Sequence, residues 1–255
     1  MPQEEAPNAA PRWPLAPRAF PLAEDSIHLW CASLDQDGAD LAHLSSTLCP
    51  TEHERAGRFR FDQHRRRFIV RRGLLRVLLG RYLDVEPSQL AFDYSPRGKP
   101  SIREPRGGRA PHFNVSDSSG LALYAVTWRA PVGVDVERIQ PFRDKDDIAA
   151  RFFSVREKTA IKALSEPQKS EAFFNCWTRK EAYLKATGEG ISESLARVEV
   201  TVMPGEAPRL LGLDGDESAA AEWTFHSLEP ASGFVGAVAI RAKGLKLSCW
   251  RWPES

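Results

Sequence analysis

Gly133-Val134-Asp135-Val136-Glu137 sets two carboxylates on alternate positions of an apolar, β-branched run. Such a run favours a strand. Residues i and i+2 of a strand share a face, so Asp135 and Glu137 point the same way. Its counterpart is Phe174-Asn175-Cys176-Trp177-Thr178-Arg179-Lys180-Glu181-Ala182-Tyr183-Leu184-Lys185, which reads as a helix. There Glu181 and Lys185 lie four apart and therefore on one face. Three carboxylates and an ammonium suit a hard divalent cation holding a phosphate. Each also has a plainer reading. Asp135 and Glu137 fit the wet face of an edge strand, and Glu181–Lys185 fits an ordinary helical ion pair worth about 0.2–0.5 kcal/mol. Trp177 reads as core at the helix–sheet seam.

The 255-residue chain is long enough to bury a substantial core, in one large domain or two small ones. A hydrophobic fraction of 42% and a charged fraction of 27% are ordinary for a soluble globular protein. No run approaches the length of a membrane span. The N-terminus carries Glu4, Glu5 and repeated proline without an apolar segment, which argues against a secretory signal. Four scattered cysteines without CxxC spacing argue against a zinc site or a disulfide framework and fit the cytoplasm.

Residues 1–24 read as a Pro-rich tail, laid over the surface by Trp13 and Phe20. A strand is expected over Ile27–Ala32, and Asp35–Ala39 reads as a loop. Thr51 and Glu54 have capping-box spacing. Arginine is concentrated over residues 54–83, where an amphipathic helix is expected from about Gln63. A solvated face accounts for most of these arginines. A phosphate-binding edge is the functional reading, with Arg55 and Arg67 the leading candidates. Nucleic acid is the rival partner, but no recognition motif and no overall basic excess support it, at a net charge of +1.

Leu90–Tyr94 reads as a short strand and Ser95–Pro100 as a turn, with Arg103–Ala110 another loop. His112–Ser116 and Leu121–Trp128 read as paired strands. Helices are expected over Asp144–Phe153, from Ser154 with Glu157 as its cap, and from Lys169 to Thr187, ended by Gly188 and Gly190. The remainder reads as strands over Leu195–Val202, Ala221–Leu228, Phe234–Ile240 and Leu245–Trp252. The pattern predicts an α+β protein of two pseudo-symmetric lobes, each a small, mainly antiparallel sheet packed with a long helix. The expected division is tail 1–24, N-terminal lobe 25–130 and C-terminal lobe 131–255.

Gly133-Val134-Asp135-Val136-Glu137, Phe153-Ser154-Val155-Arg156-Glu157 and Trp177-Thr178-Arg179-Lys180-Glu181-Ala182-Tyr183-Leu184-Lys185 together resemble the 4′-phosphopantetheinyl transferases, in the large two-lobed class. Gly98-Lys99-Pro100 and Phe113-Asn114-Val115-Ser116 match further signatures of that family. The resemblance implies Mg²⁺-dependent transfer of the phosphopantetheine arm of coenzyme A to a serine of an apo carrier protein, releasing 3′,5′-ADP from a site between the lobes. It implies Asp135, Glu137 and Glu181 as Mg²⁺ ligands, Lys185 on the pyrophosphate and Glu181 as general base. It implies Arg55, Arg67, Lys99 and Ser116 as coenzyme A contacts. Lys180 matches a motif position to which the sequence gives no role. A monomer, with neither nucleic acid nor membrane as partner, is expected. The alternative is a coenzyme A- or phosphate-binding protein without transferase activity. One departure keeps it open: the family usually has histidine after Ser116, touching the nucleotide phosphate, and this chain has Asp117. Either Asp117 faces away, or an arginine from residues 55–67 bridges it, or phosphate recognition is rearranged. On this reading Asp117→His preserves or improves coenzyme A affinity.

Overall fold

The computed structural model describes residues 13–103, 108–141, 145–189 and 193–253. Strand β1 (Ser26–Ser33) leads into helices α1 (Gly38–Ser46), α2 (Pro50–Gly57) and α3 (Asp62–Leu83). Strands β2 (Phe92–Tyr94), β3 (Pro100–Ile102), β4 (His112–Ser118), β5 (Leu121–Thr127) and β6 (Val132–Arg138) follow. Then come helices α4 (Lys145–Phe152), α5 (Val155–Lys162) and α6 (Gln168–Thr187). The chain finishes with β7 (Val198–Val200), β8 (Leu210–Leu213), β9 (Thr224–Leu228), β10 (Phe234–Ile240) and β11 (Lys246–Arg251).

Two main sheets form, in strand orders β11-β1-β5-β4 and β6-β10-β9. Their alternating residues build four layers. Trp30, Ala32, Tyr124 and Val126 of the first sheet pack on Val70, Leu74 and Leu78 of α3. Ile27, Leu29, Leu123 and Ala125, on the opposite face, pack against Val132, Val134, Val136 and Val238 of the second sheet. The far face of that sheet, with Val235, Ala237 and Ala239, receives Cys176 and Ala182 of α6. Central strands covered on both faces read as continuous apolar runs, and β5 (Leu-Ala-Leu-Tyr-Ala-Val-Thr) does. The expected α+β architecture of two pseudo-symmetric sheet-and-helix lobes is therefore present.

Differences lie at elements with weak local signals. Asp35–Ala39 runs into α1, a short helix whose only buried side chain is Leu44. Helix α2 starts one residue before Thr51, with Pro50 at its first position and the Glu52 carboxylate accepting from the Cys49 N–H at 2.9 Å. The capping pair is thus Cys49–Glu52 rather than Thr51–Glu54. Strand β8 (Leu210–Leu213) lies between the expected strands Leu195–Val202 and Ala221–Leu228, where none is expected. Strand β11 pairs in parallel with β1, so the last strand lies in the first sheet. Trp13 and Phe20 do pack as expected, Phe20 edge-on to Trp30 at 4.7 Å. Helix α6 ends at Gly188 with φ +80°, a left-handed cap that glycine supplies without strain. Pro2, Pro7, Pro11, Asp144, Gly190 and part of the Arg103–Ala110 loop lie outside the described residues. No helix among the described residues is long and apolar enough to cross a membrane.

Candidate active site

Gly133 sets the geometry. A Cβ there would meet the Ala182 carbonyl at 2.0 Å and the Ala186 nitrogen at 2.4 Å. The α6 backbone therefore lies directly on β6, an approach only glycine permits. Val134 and Val136 are fully buried between the sheets, and Asp135 is buried on the alternate side of the pleat. Lys185 of α6 donates to Asp135 Oδ1 at 2.6 Å and to Ser116 Oγ at 2.9 Å. Ser116 Oγ donates to the same carboxylate oxygen at 2.8 Å.

Alternate residues of β4 face β6. Asn114 Oδ1 accepts from the Val134 N–H at 2.9 Å, Ser116 holds Asp135, and Ser118 Oγ donates to Glu137 Oε2 at 2.8 Å. Two edge strands of different sheets are joined through side chains. The family resemblance implies a coenzyme A contact for Ser116 and no site role for Ser118 or Asn114. The signal was the shared period of two in Asn114-Val115-Ser116-Asp117-Ser118 and Val134-Asp135-Val136-Glu137.

Burial, with Asp135 and Glu137 nearby, pushes the Glu181 carboxyl up to about 7 despite the opposing pull of Lys185. Burial also raises Glu137, against the Ser118 hydrogen bond. Asp135 Oδ2 and Glu181 Oε1 are buried without a hydrogen-bond partner among the described residues. Buried acceptors are normally paired, and two orphaned carboxylate oxygens in an acid cluster fit a cation. Among the described residues no three acidic, histidine or cysteine side chains form a preassembled metal cage. Mg²⁺ needs none, since it commonly binds through one or two carboxylates and completes its shell with water and phosphate.

A cavity of about 690 Å³ opens between α3, the β2–β3 hairpin and α6. Glu181, Lys185, Arg55 and Lys99 line it, as do Arg71, Arg72 and Arg97. The Arg55 guanidinium lies over the Phe68 ring, 5.4 Å from its centre. Lys99 donates to the Lys185 carbonyl and, at 3.1 Å, to the Ala186 carbonyl, capping the C-terminal end of α6, and burial lowers its pKa. Ser116 and Arg67 do not line the cavity. Arg67 grips Asp35 with two hydrogen bonds of 2.7 and 2.8 Å. Asp117 is bridged by an arginine, but by Arg71, outside the expected 55–67 stretch, at 2.7 Å.

Lys180 acquires a structural place. Fully buried, it donates to the Phe152 carbonyl at 3.1 Å and the Leu195 carbonyl at 2.9 Å, and pairs with Glu157 at 2.8 Å. Glu157 in turn accepts from the backbone N–H of Ser154 and of Val200. This network ties the α4–α5 corner and β7 to the turn of α6 that carries Glu181. Glu157 is a cap, as expected, and more than a cap.

A seam of carboxylates and lysine beside an arginine-lined cavity has the chemistry to suit a phosphorylated substrate. Residues 131–239 match the 4′-phosphopantetheinyl transferase superfamily, and residues 34–128 match the N-terminal region of 4′-phosphopantetheinyl transferases. The chain is 40% identical over 240 residues to the 4′-phosphopantetheinyl transferase HetI of Nostoc sp., covering 94% of this chain and 98% of that protein. It is 35% identical over 178 residues to the 4′-phosphopantetheinyl transferase psf-1 of Bacillus pumilus, covering 69% and 72% of the two chains. It is 29% identical over 147 residues to the 4′-phosphopantetheinyl transferase Sfp of Bacillus subtilis, covering 58% and 63%. The chain belongs to the 4′-phosphopantetheinyl transferase superfamily.

Proposed function

We propose that the cleft between α3 and α6 is where this enzyme carries out the family's reaction. That reaction moves the phosphopantetheine arm of coenzyme A to a serine of an apo carrier protein. The carrying observation is that Glu181 and Lys185 of α6 line a cavity together with Arg55, Arg71, Arg72, Arg97 and Lys99, and that Lys185 joins Asp135 of β6 to this wall through a 2.6 Å hydrogen bond. The serine oxygen forms a bond to the phosphorus that bears pantetheine, the pyrophosphate P–O bond breaks, and 3′,5′-ADP leaves.

Asp135 and Glu181 would hold Mg²⁺, with Glu137 as the third carboxylate. Bound there, Mg²⁺ neutralises charge on the pyrophosphate. Lys185, now held on Asp135 and Ser116, is placed to donate to a pyrophosphate oxygen. Glu181, buried at the cavity wall, takes the serine proton as general base. Arg55 and Lys99 contact the nucleotide. Ser116 serves by orienting Asp135, and Arg67 serves the loop that carries Asp35.

The enzyme acts as a monomer, since both walls of the cleft come from one chain, and it works in the cytoplasm. Nucleic acid is not its partner. Of the α3 arginines, Arg65, Arg66, Arg67 and Arg71 each pair with an aspartate and Arg72 and Arg76 share Glu52, which offsets most of their charge toward a phosphate backbone.

The test is incubation with coenzyme A, Mg²⁺ and several apo carrier proteins, followed by mass spectrometry. A carrier gaining one phosphopantetheine arm supports the reading. Coenzyme A binding with no carrier modified would favour a binding protein without transferase activity.

A further inference from the structure

The cavity's cations differ in how fully the chain engages them. Arg72 is committed: Glu52 and Tyr94 accept from it, Phe92 stacks on it at 4.3 Å, and its side chain is 12% exposed. Lys99 is held on helix carbonyls and Lys185 on Asp135. Among the described residues the Arg71 side chain has one hydrogen bond, to Asp117, and it is 35% exposed where it lines the cavity. A guanidinium has five N–H donors, so the edge turned away from Asp117 keeps the paired donors that suit a phosphate.

Asp117 does not line the cavity, whereas Arg71 does. The arginine stands between the acid and the ligand space, and the acid's charge is spent on it. Arg71 of α3 and Arg55 of α2, whose guanidinium lies over Phe68 of α3, line the cavity from these helices, and Lys185 and Glu181 line it from α6. Coenzyme A carries two separate anionic centres, a pyrophosphate and a ribose 3′-phosphate. With the pyrophosphate at Lys185, the second centre falls to the arginines.

We propose that Arg71, held in orientation by Asp117, is a specificity-determining residue that recognises the ribose 3′-phosphate of coenzyme A. The pair acts as a unit: the carboxylate fixes one edge of the guanidinium and the phosphate takes the other. This rests on the cavity being the coenzyme A site. It also reverses the expectation for Asp117→His, which removes the anchor and weakens coenzyme A binding.

The experiment is calorimetric titration of the full chain with coenzyme A and with 3′-dephospho-coenzyme A. Arg71→Met is expected to lower the preference for coenzyme A over the dephospho form at least about tenfold, with Arg71→Lys recovering part of it. Asp117→Asn is expected to lower the preference several-fold, and Arg71→Met/Asp117→Asn no further than Arg71→Met alone. A wild type that binds coenzyme A, with a preference unchanged by Arg71→Met, overturns the proposal and leaves the site reading standing. Additive losses in the double variant overturn the paired action. A wild type that binds no coenzyme A overturns the site reading and the proposal with it.

Discussion

Ser118 Oγ donates to Glu137 Oε2 at 2.8 Å, two residues along both strands from the matching bond between Ser116 and Asp135. Each carboxylate of β6 is thus oriented by a hydroxyl of β4, across the seam between the two sheets. Groups that orient metal ligands commonly carry about 10–100-fold in metal affinity. Ser118→Ala is expected to weaken Mn²⁺ binding, read by electron paramagnetic resonance titration, by about tenfold. Ser118→Thr retains the hydroxyl and should restore most of it. Unchanged affinity in Ser118→Ala would separate Ser118 from the metal site.

Lys180 and Glu157 form a fully buried pair, at 0% and 2% side-chain exposure. Removing one partner strands the other's charge, at a cost of about 3–5 kcal/mol. Lys180→Met should lower unfolding free energy by about that amount in urea titrations. Adding Glu157→Gln should recover part of the loss, because no buried charge then remains. A cost under about 1 kcal/mol would show the pair to be weakly coupled to folding.

His28 gives stability a pH dependence. It is buried, with Nδ1 2.9 Å from the Tyr82 hydroxyl, which accepts from Trp30 Nε1 at 2.8 Å. The hydroxyl keeps a proton to give and a second lone pair to accept with, so either tautomer of the neutral ring bonds it. Burial lowers the His28 pKa from 6.5 to about 4. Between those values the unfolded chain binds the extra proton, so this contribution is complete above pH 6.5 and is lost as pH falls toward 4. The urea midpoint should therefore drop between pH 7 and pH 5 more steeply in wild type than in His28→Gln. Equal slopes would contradict it.

Legibility followed the range of the signal. The Val-Asp-Val-Glu alternation placed β6 and the side of its carboxylates. The i, i+4 spacing put Glu181 and Lys185 on one helix face, and Ser154 with Glu157 marked the start of α5. Local chemistry fixes all of these. Strand β11 was not assignable to the first sheet, because its partner β1 lies at the other end of the chain and pairing leaves no local mark. Arg67 looked like Arg71 in sequence. Tertiary contacts alone decide that one faces Asp35 and the other the cavity. Lys180 was silent because its partners are carbonyls and an acid from separate elements.

Glu181, at the meeting of β6 and α6, is proposed as the group that takes the carrier serine's proton. The direct measurement is the rate at which wild type and Glu181→Gln modify an apo carrier at saturating coenzyme A and Mg²⁺, followed by mass spectrometry. A modified carrier is expected with wild type, and a rate lower by about a thousandfold with Glu181→Gln. Transfer by Glu181→Gln at the wild-type rate would contradict it.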